Sequence, residues 1–175
     1  MAGGLVELEV LGVRRQAELD QVVVLLLDQA GHRLLPVVVG PTEGAAIAAG
    51  QAGLEPPRPM THDLLVSVLE TCGVGVAQVE IVALRDGVFH AALVLDTGDR
   101  VDSRASDGVA VAVRVGCPVL CVPEILEESA LEVEEDHPDG DVDAADEVEE
   151  FRAFLETVTP EDFENAPPEG PTETA

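Results

Sequence analysis

The chain has no Trp, no Tyr and no Lys, and only 3 Cys, 2 Met and 4 Phe in 175 residues. Without large aromatics, the core has to be assembled from Val, Leu and Ala, which supply 46% hydrophobic content together with the few others. The odd number of Cys (Cys72, Cys117, Cys121) and their spacing argue against a disulfide framework or a zinc site. They read as buried thiols in a reducing compartment. No apolar run approaches the roughly 20 residues that a membrane helix needs. The N-terminal stretch lacks a basic region and is broken by Glu7 and Glu9, so no secretory signal is expected and the location expected is cytoplasmic. The absence of Lys, with a net charge of −26, excludes the broad basic face of a generic duplex binder. Any nucleic-acid contact has to be local and carried by Arg, or assisted by metal ions.

The charge is uneven. Residues 1–121 hold 15 acidic residues and 8 Arg; residues 122–175 hold 20 acidic residues and 1 Arg. The first segment is the candidate for a folded domain, expected over 1–128. Leu5 to Val13 alternates like a half-buried strand. Val22–Leu27 and Leu34–Val39 read as a hairpin, followed by a helix from Pro41 or Thr42 to Ala52. Thr61 reads as the N-cap of a second helix carrying Leu64, Leu65, Val68, Leu69 and Cys72, ended by Gly73 and Gly75. Val76–Leu84 and Val88–Leu95 flank Asp86-Gly87, a strong hairpin signal. A short strand near Arg100–Val101, an apolar and therefore buried helix over Val109–Val115 and a strand over Pro118–Val122 complete the pattern. Hairpins mixed with helices predict an α+β fold, with a mostly antiparallel mixed sheet packed by three main helices. The acidic extension 129–175 reads as helical over about 141–158, through Val148, Phe151, Phe154, Leu155 and Val158, and then disordered.

Two polar strings stand out: Arg58-Pro59-Met60-Thr61-His62-Asp63 and Asp102-Ser103-Arg104-Ala105-Ser106-Asp107. Each precedes a helical segment, and a helix start gathers free N–H groups and positive dipole suited to an anion. Arg58 and Arg104 are candidate phosphate clamps, because the guanidinium fork matches phosphate oxygens. Their structural reading is a pair of Arg–Asp contacts between the strings. His62 is a candidate proton shuttle or ligand; the alternative is packing against the sheet. Asp63, Asp102 and Asp107, with Glu43, are candidate ligands for Mg²⁺ or Mn²⁺, since hard cations want carboxylate oxygens, and the three Asp are also candidates to orient water in catalysis. The alternative for these acids is helix capping and dipole pairing. Ser106 is a hydrogen-bonding residue for phosphate or for its own helix start. His32 and His90 suggest no role.

With Leu35-Pro36-Val37-Val38-Val39-Gly40-Pro41-Thr42-Glu43-Gly44-Ala45-Ala46-Ile47, these strings make the chain resemble the bifunctional nuclease family over roughly residues 5–128. The family string usually reads Arg-Pro-Ser-Asp-Ala. Here Ala105 takes the place of the Pro and Gly108 that of the last Ala, and Thr42 stands where relatives often have an aromatic residue. The resemblance implies hydrolysis of phosphodiesters in DNA or RNA and nucleic acid as partner. The alternative is a non-catalytic oligomeric module in which the strings are structural and the acidic tail engages a protein. A homodimer is the default expectation. The tail is also a candidate cover for the Arg-bearing face, in which case removing residues 129–175 raises nucleic-acid affinity.

Overall fold

The computed structural model describes residues 4–16, 21–28, 30 and 32–132. The predicted acidic helix and disordered end lie outside the described residues. Among the described residues, eight strands form one sheet in the order β6-β5-β4-β7-β1-β2-β3-β8. Their ranges are β1 Val6–Gln16, β2 Gln21–Asp28, β3 Arg33–Val39, β4 Val76–Arg85, β5 Val88–Leu95, β6 Arg100–Arg104, β7 Val119–Cys121 and β8 Leu131–Glu132. Every neighbouring pair is antiparallel except β4 with β7. The helices are α1 Pro41–Gln51, α2 Thr61–Thr71, α3 Ala105–Val115 and α4 Pro123–Ser129. The α+β class and the antiparallel bias are therefore as the sequence pattern implies. The short strand β8 was not expected; it pairs with the start of β3.

Local chemistry accounts for the elements. Asp86 and Gly87 both take positive φ, 49° and 76°, as a tight hairpin turn requires. Pro36 sits inside β3, opposite Leu25 of β2. Because β8 pairs only with Arg33 and Leu34, β3 is an edge strand at Pro36, where a proline is tolerated. β1 pairs with β7 through Val6–Leu8 and with β2 from Glu9 onward. The register shifts between Val10 and Gly12, where Gly12 has φ 148°, and this bulge bends the sheet.

The bend lets the sheet wrap α3. This helix touches α1, α2, β3, β4, β5 and β6. Its Ala105, Gly108, Val109, Ala110, Val111 and Ala112 are all buried. Around it lie Leu8, Leu26, Leu35, Ile47, Val79 and Ile81. Small residues allow the close approach: a Cβ on Gly108 would lie 2.7 Å from Val79 Cγ1. One on Gly50 would lie 2.7 Å from Val113 Cγ2. The buried charges among the described residues, Asp28 and Glu80, are paired with Arg33 at 2.6 Å and Arg100 at 2.5 Å. The thiols divide: Cys121 is buried, Cys117 half-buried and Cys72 exposed. The expectation of three buried thiols therefore fails at Cys72, which lies beyond the last turn of α2.

Candidate functional site

The helix starts differ in detail from the expected ones. Met60, not Thr61, is the N-cap of α2; the Asp63 carboxylate reaches back to accept the Met60 N–H at 2.8 Å. The strand β6 runs on to Arg104, paired with His90 of β5, so Asp102 and Ser103 are strand residues and Arg104 is the N-cap of α3. Neither Asp102 nor Ser103 caps the helix. Once the boundaries are fixed, Glu43, Asp63 and Asp107 all fall at the third position of their helices. There a carboxylate faces the positive end of the dipole.

Side chains tie these three helix starts into one cluster. His62 Nε2 lies 3.1 Å from Asp107 Oδ1, joining α2 to α3. Asp107 also accepts two bonds from Arg104, at 2.6 Å from Nε and 3.0 Å from Nη2. Arg104 Nη2 stands 3.1 Å from Glu43 Oε1, joining α3 to α1. The Arg104 guanidinium, helped by the His62 contact against the cost of burial, holds the Asp107 carboxyl below its usual value. An ionised Asp107 accepts, so the His62 Nε2–H is the donor in this contact. The carboxylates in turn raise the Arg104 pKa further. Arg104 is 62% exposed, and its Nη1 has no partner among the described residues.

A second Arg–Asp pair lies behind the first. Arg114, whose side chain is 9% exposed, donates to Asp63 Oδ1 from Nε at 2.5 Å. Its Nη1 donates to Ala46 O of α1 at 3.0 Å and to Ala110 O of α3 at 2.8 Å. One guanidinium thus fastens all three helices. It holds the Asp63 carboxyl below its usual value, with the Met60 N–H adding to the effect. Sequence reasoning missed Arg114. The available signal was a lone Arg in an apolar helix, seven residues after Asp107.

The two strings meet through His62 and Asp107, not through the crossed Arg–Asp contacts considered above. Arg58 is exposed and has no partner among the described residues. Ser106 is half-buried and lines a small cavity of about 180 Å³ with Gly40, Phe89 and Arg104. Asp102 is exposed on β6, also without a partner among the described residues. Among the described residues no three His, Cys, Asp or Glu side chains stand together in a way that could hold a metal ion. Asp63, Asp107 and Glu43 each face an Arg, and Asp102 lines the same groove as Asp107 without joining that network.

Beside the cluster, a groove of about 390 Å³ opens between α2 and the β5–β6 edge. Leu65, Leu69, Leu95 and Val101 form its walls, and His62, Asp107 and Asp102 line it too. The Ser103 hydroxyl at its margin is sealed from solvent with no partner among the described residues. No described helix is long and apolar enough to cross a membrane.

Residues 24–134 match the bifunctional nuclease domain family. The chain is also 40% identical over 159 residues to uncharacterized protein MT1877 of Mycobacterium tuberculosis (strain CDC 1551 / Oshkosh), covering 90% of this chain and 97% of the relative. It matches uncharacterized protein Rv1829 of M. tuberculosis (strain ATCC 25618 / H37Rv) to the same extent.

Proposed function

Because the chain belongs to the bifunctional nuclease domain family, we propose that the cluster at the three helix starts hydrolyses phosphodiester bonds of DNA or RNA. The observation that carries this reading is the His62–Asp107–Arg104 chain. It supplies an oriented imidazole, 11% exposed and lining the groove, joined through Asp107 to an exposed guanidinium. Asp107 holds the ring through Nε2 and leaves Nδ1 as general base. Nδ1 takes a proton from water as the water oxygen bonds to phosphorus. The ester P–O bond breaks, and the departing alkoxide takes a proton from solvent. Arg104 Nη1 and Arg58 hold the non-bridging oxygens, whose charge they balance as the transition state forms. Ser106, in the cavity that Arg104 also lines, adds a hydroxyl donor for phosphate. The net charge of −26 restricts binding to this local Arg surface.

The test is a cleavage assay on single-stranded DNA and RNA, with Mg²⁺, with Mn²⁺ and with EDTA, beside Arg104→Ala. Cleavage that persists in EDTA and falls in the folded variant agrees with chemistry carried by side chains. Cleavage abolished by EDTA overturns the metal-free form of the mechanism. Absence of cleavage under all three conditions overturns the enzyme reading in favour of a binding module.

A further inference from the structure

The groove between α2 and the β5–β6 edge has no part in the hydrolysis described above, yet it shares two walls with it. His62 and Asp107 line the groove, and Asp107 is at the same time bonded to Arg104. A phosphate on the outer side of Arg104 and an object in the groove are therefore separated by little more than one carboxylate. In a nucleic-acid strand, what lies one sugar away from a phosphate is a base.

The lining suits that object. The groove volume, about 390 Å³, is within the usual range of small-molecule clefts. Its walls are aliphatic, from Leu65, Leu69, Leu95 and Val101, and its polar members include His62, Asp102 and Asp107. A planar ring with apolar faces and polar edges fits such a slot. An apolar side chain from a second copy fits less well, since it would bury the unpaired Asp102 carboxylate without a partner, which is costly. Asp102 only accepts, so it selects bases presenting an exocyclic amine, as Asp and Glu do toward the cytosine amino group.

We propose that this groove holds one unstacked, amine-bearing base (adenine, cytosine or guanine) of a single strand, with Asp102 accepting from the amine, next to the phosphate on Arg104. The inference rests on the nuclease reading and narrows its substrate to strands whose bases are free to leave the stack. It also explains how so acidic a chain holds a polyanion. Affinity comes from burying a base, with only two Arg contributing to the phosphate contact. The salt dependence should then be shallow: for single strands the slope is about −0.7 per neutralised phosphate, or about −1.4 for Arg58 and Arg104 together.

The experiment measures fluorescence anisotropy of short labelled oligo(dA), oligo(dC) and oligo(dT), and of oligo(dA) with abasic positions, on the full chain across a salt series. Cleavage is followed on the same samples. Expected are a preference for dA and dC over dT of about fivefold, a loss of about tenfold on abasic substitution and the shallow slope. Asp102→Asn should level the base preference. Leu65→Ser and Val101→Ser, both at exposed positions, should weaken intact strands but not abasic ones. Cleavage without base preference or abasic loss overturns the base pocket while the nuclease reading stands. An Asp102→Asn gain that is equal for all sequences shows mere charge repulsion and overturns it. Conversion of a dimer to a monomer by Leu65→Ser, with strand binding unchanged, assigns the groove to a second copy and also overturns it. No binding and no cleavage of any strand removes both readings.

Discussion

Two Arg–Asp pairs lie within the same helix cluster, built from the same atoms and put to opposite uses. Arg114 and Asp63 have side chains 9% and 28% exposed; Arg104 and Asp107 are 62% and 30% exposed. Arg114 spends its donors on Asp63 and on two main-chain carbonyls of α1 and α3. Arg104 binds Asp107 and Glu43 from one side and keeps Nη1 turned to no partner among the described residues. The inner pair therefore fixes where the helix starts stand. The outer pair, with His62 attached, presents what they have gathered. Burial rather than residue type separates scaffold from site, because an ion pair is strong and costly to break only where water is kept away.

Three substitutions probe that division. The largest effect is expected for His62→Gln. Cleavage should fall about 10²–10⁴-fold, the range for loss of a general base, with the urea unfolding midpoint nearly unchanged. A large stability loss with little loss of cleavage would make the outer cluster a second brace. Next comes Arg114→Ala. It takes the Arg partner from Asp63 and the side-chain donor from two helix carbonyls, and should cost about 3 kcal/mol in urea unfolding, toward the lower end for a broken buried pair because Asp63 is partly exposed. A loss under about 1 kcal/mol would place the inner pair in the same class as an ordinary surface contact. Arg104→Ala should cost no more than about 1 kcal/mol of stability while weakening single-strand binding about tenfold. If Arg104→Ala destabilises as much as Arg114→Ala, the contrast between the pairs disappears.

Much of this was legible in the sequence for a physical reason. The strands and helices announce themselves through period and turn chemistry, as in Asp86-Gly87 or the apolar run of α3. The boundaries were less legible. Asp102 and Ser103 look like caps for α3, but pairing with β5 extends β6 to Arg104 and carries both residues into the sheet. Strand pairing is a long-range contact that local propensity does not encode. The candidate residues His62, Asp63, Arg104 and Asp107 all fall in the cluster, yet their partners were misassigned. Asp63 answers to Arg114, fifty-one residues away, and a chemical list of acids and bases does not reveal which of them end up facing one another. The acids that suggested a metal site make the same point: Glu43, Asp63 and Asp107 each face an Arg, while Asp102 lies in β6.

Acid titration offers the finest test of the comparison. Asp63 and Asp107 both have carboxyl pKa values held below the usual 3.8, chiefly by their Arg partners. A depressed folded-state value means that the unfolded chain binds the proton more readily. Each carboxylate thus contributes stability that is fully present above the unfolded value and is lost as the pH falls through the folded one. The window lies below about pH 3.8. Many other carboxylates titrate there, so the useful quantity is the difference between variants and not the wild-type slope itself. Asp63→Asn removes the partner of a guanidinium that is 9% exposed; Asp107→Asn removes that of one 62% exposed. Urea midpoints taken at pH 5, 4 and 3 should fall less steeply in Asp63→Asn than in wild type, while Asp107→Asn stays closer to the wild-type slope. Equal flattening in the two variants would mean that both pairs are shielded alike, and the outer Arg would then have no more freedom to meet a phosphate than the inner one.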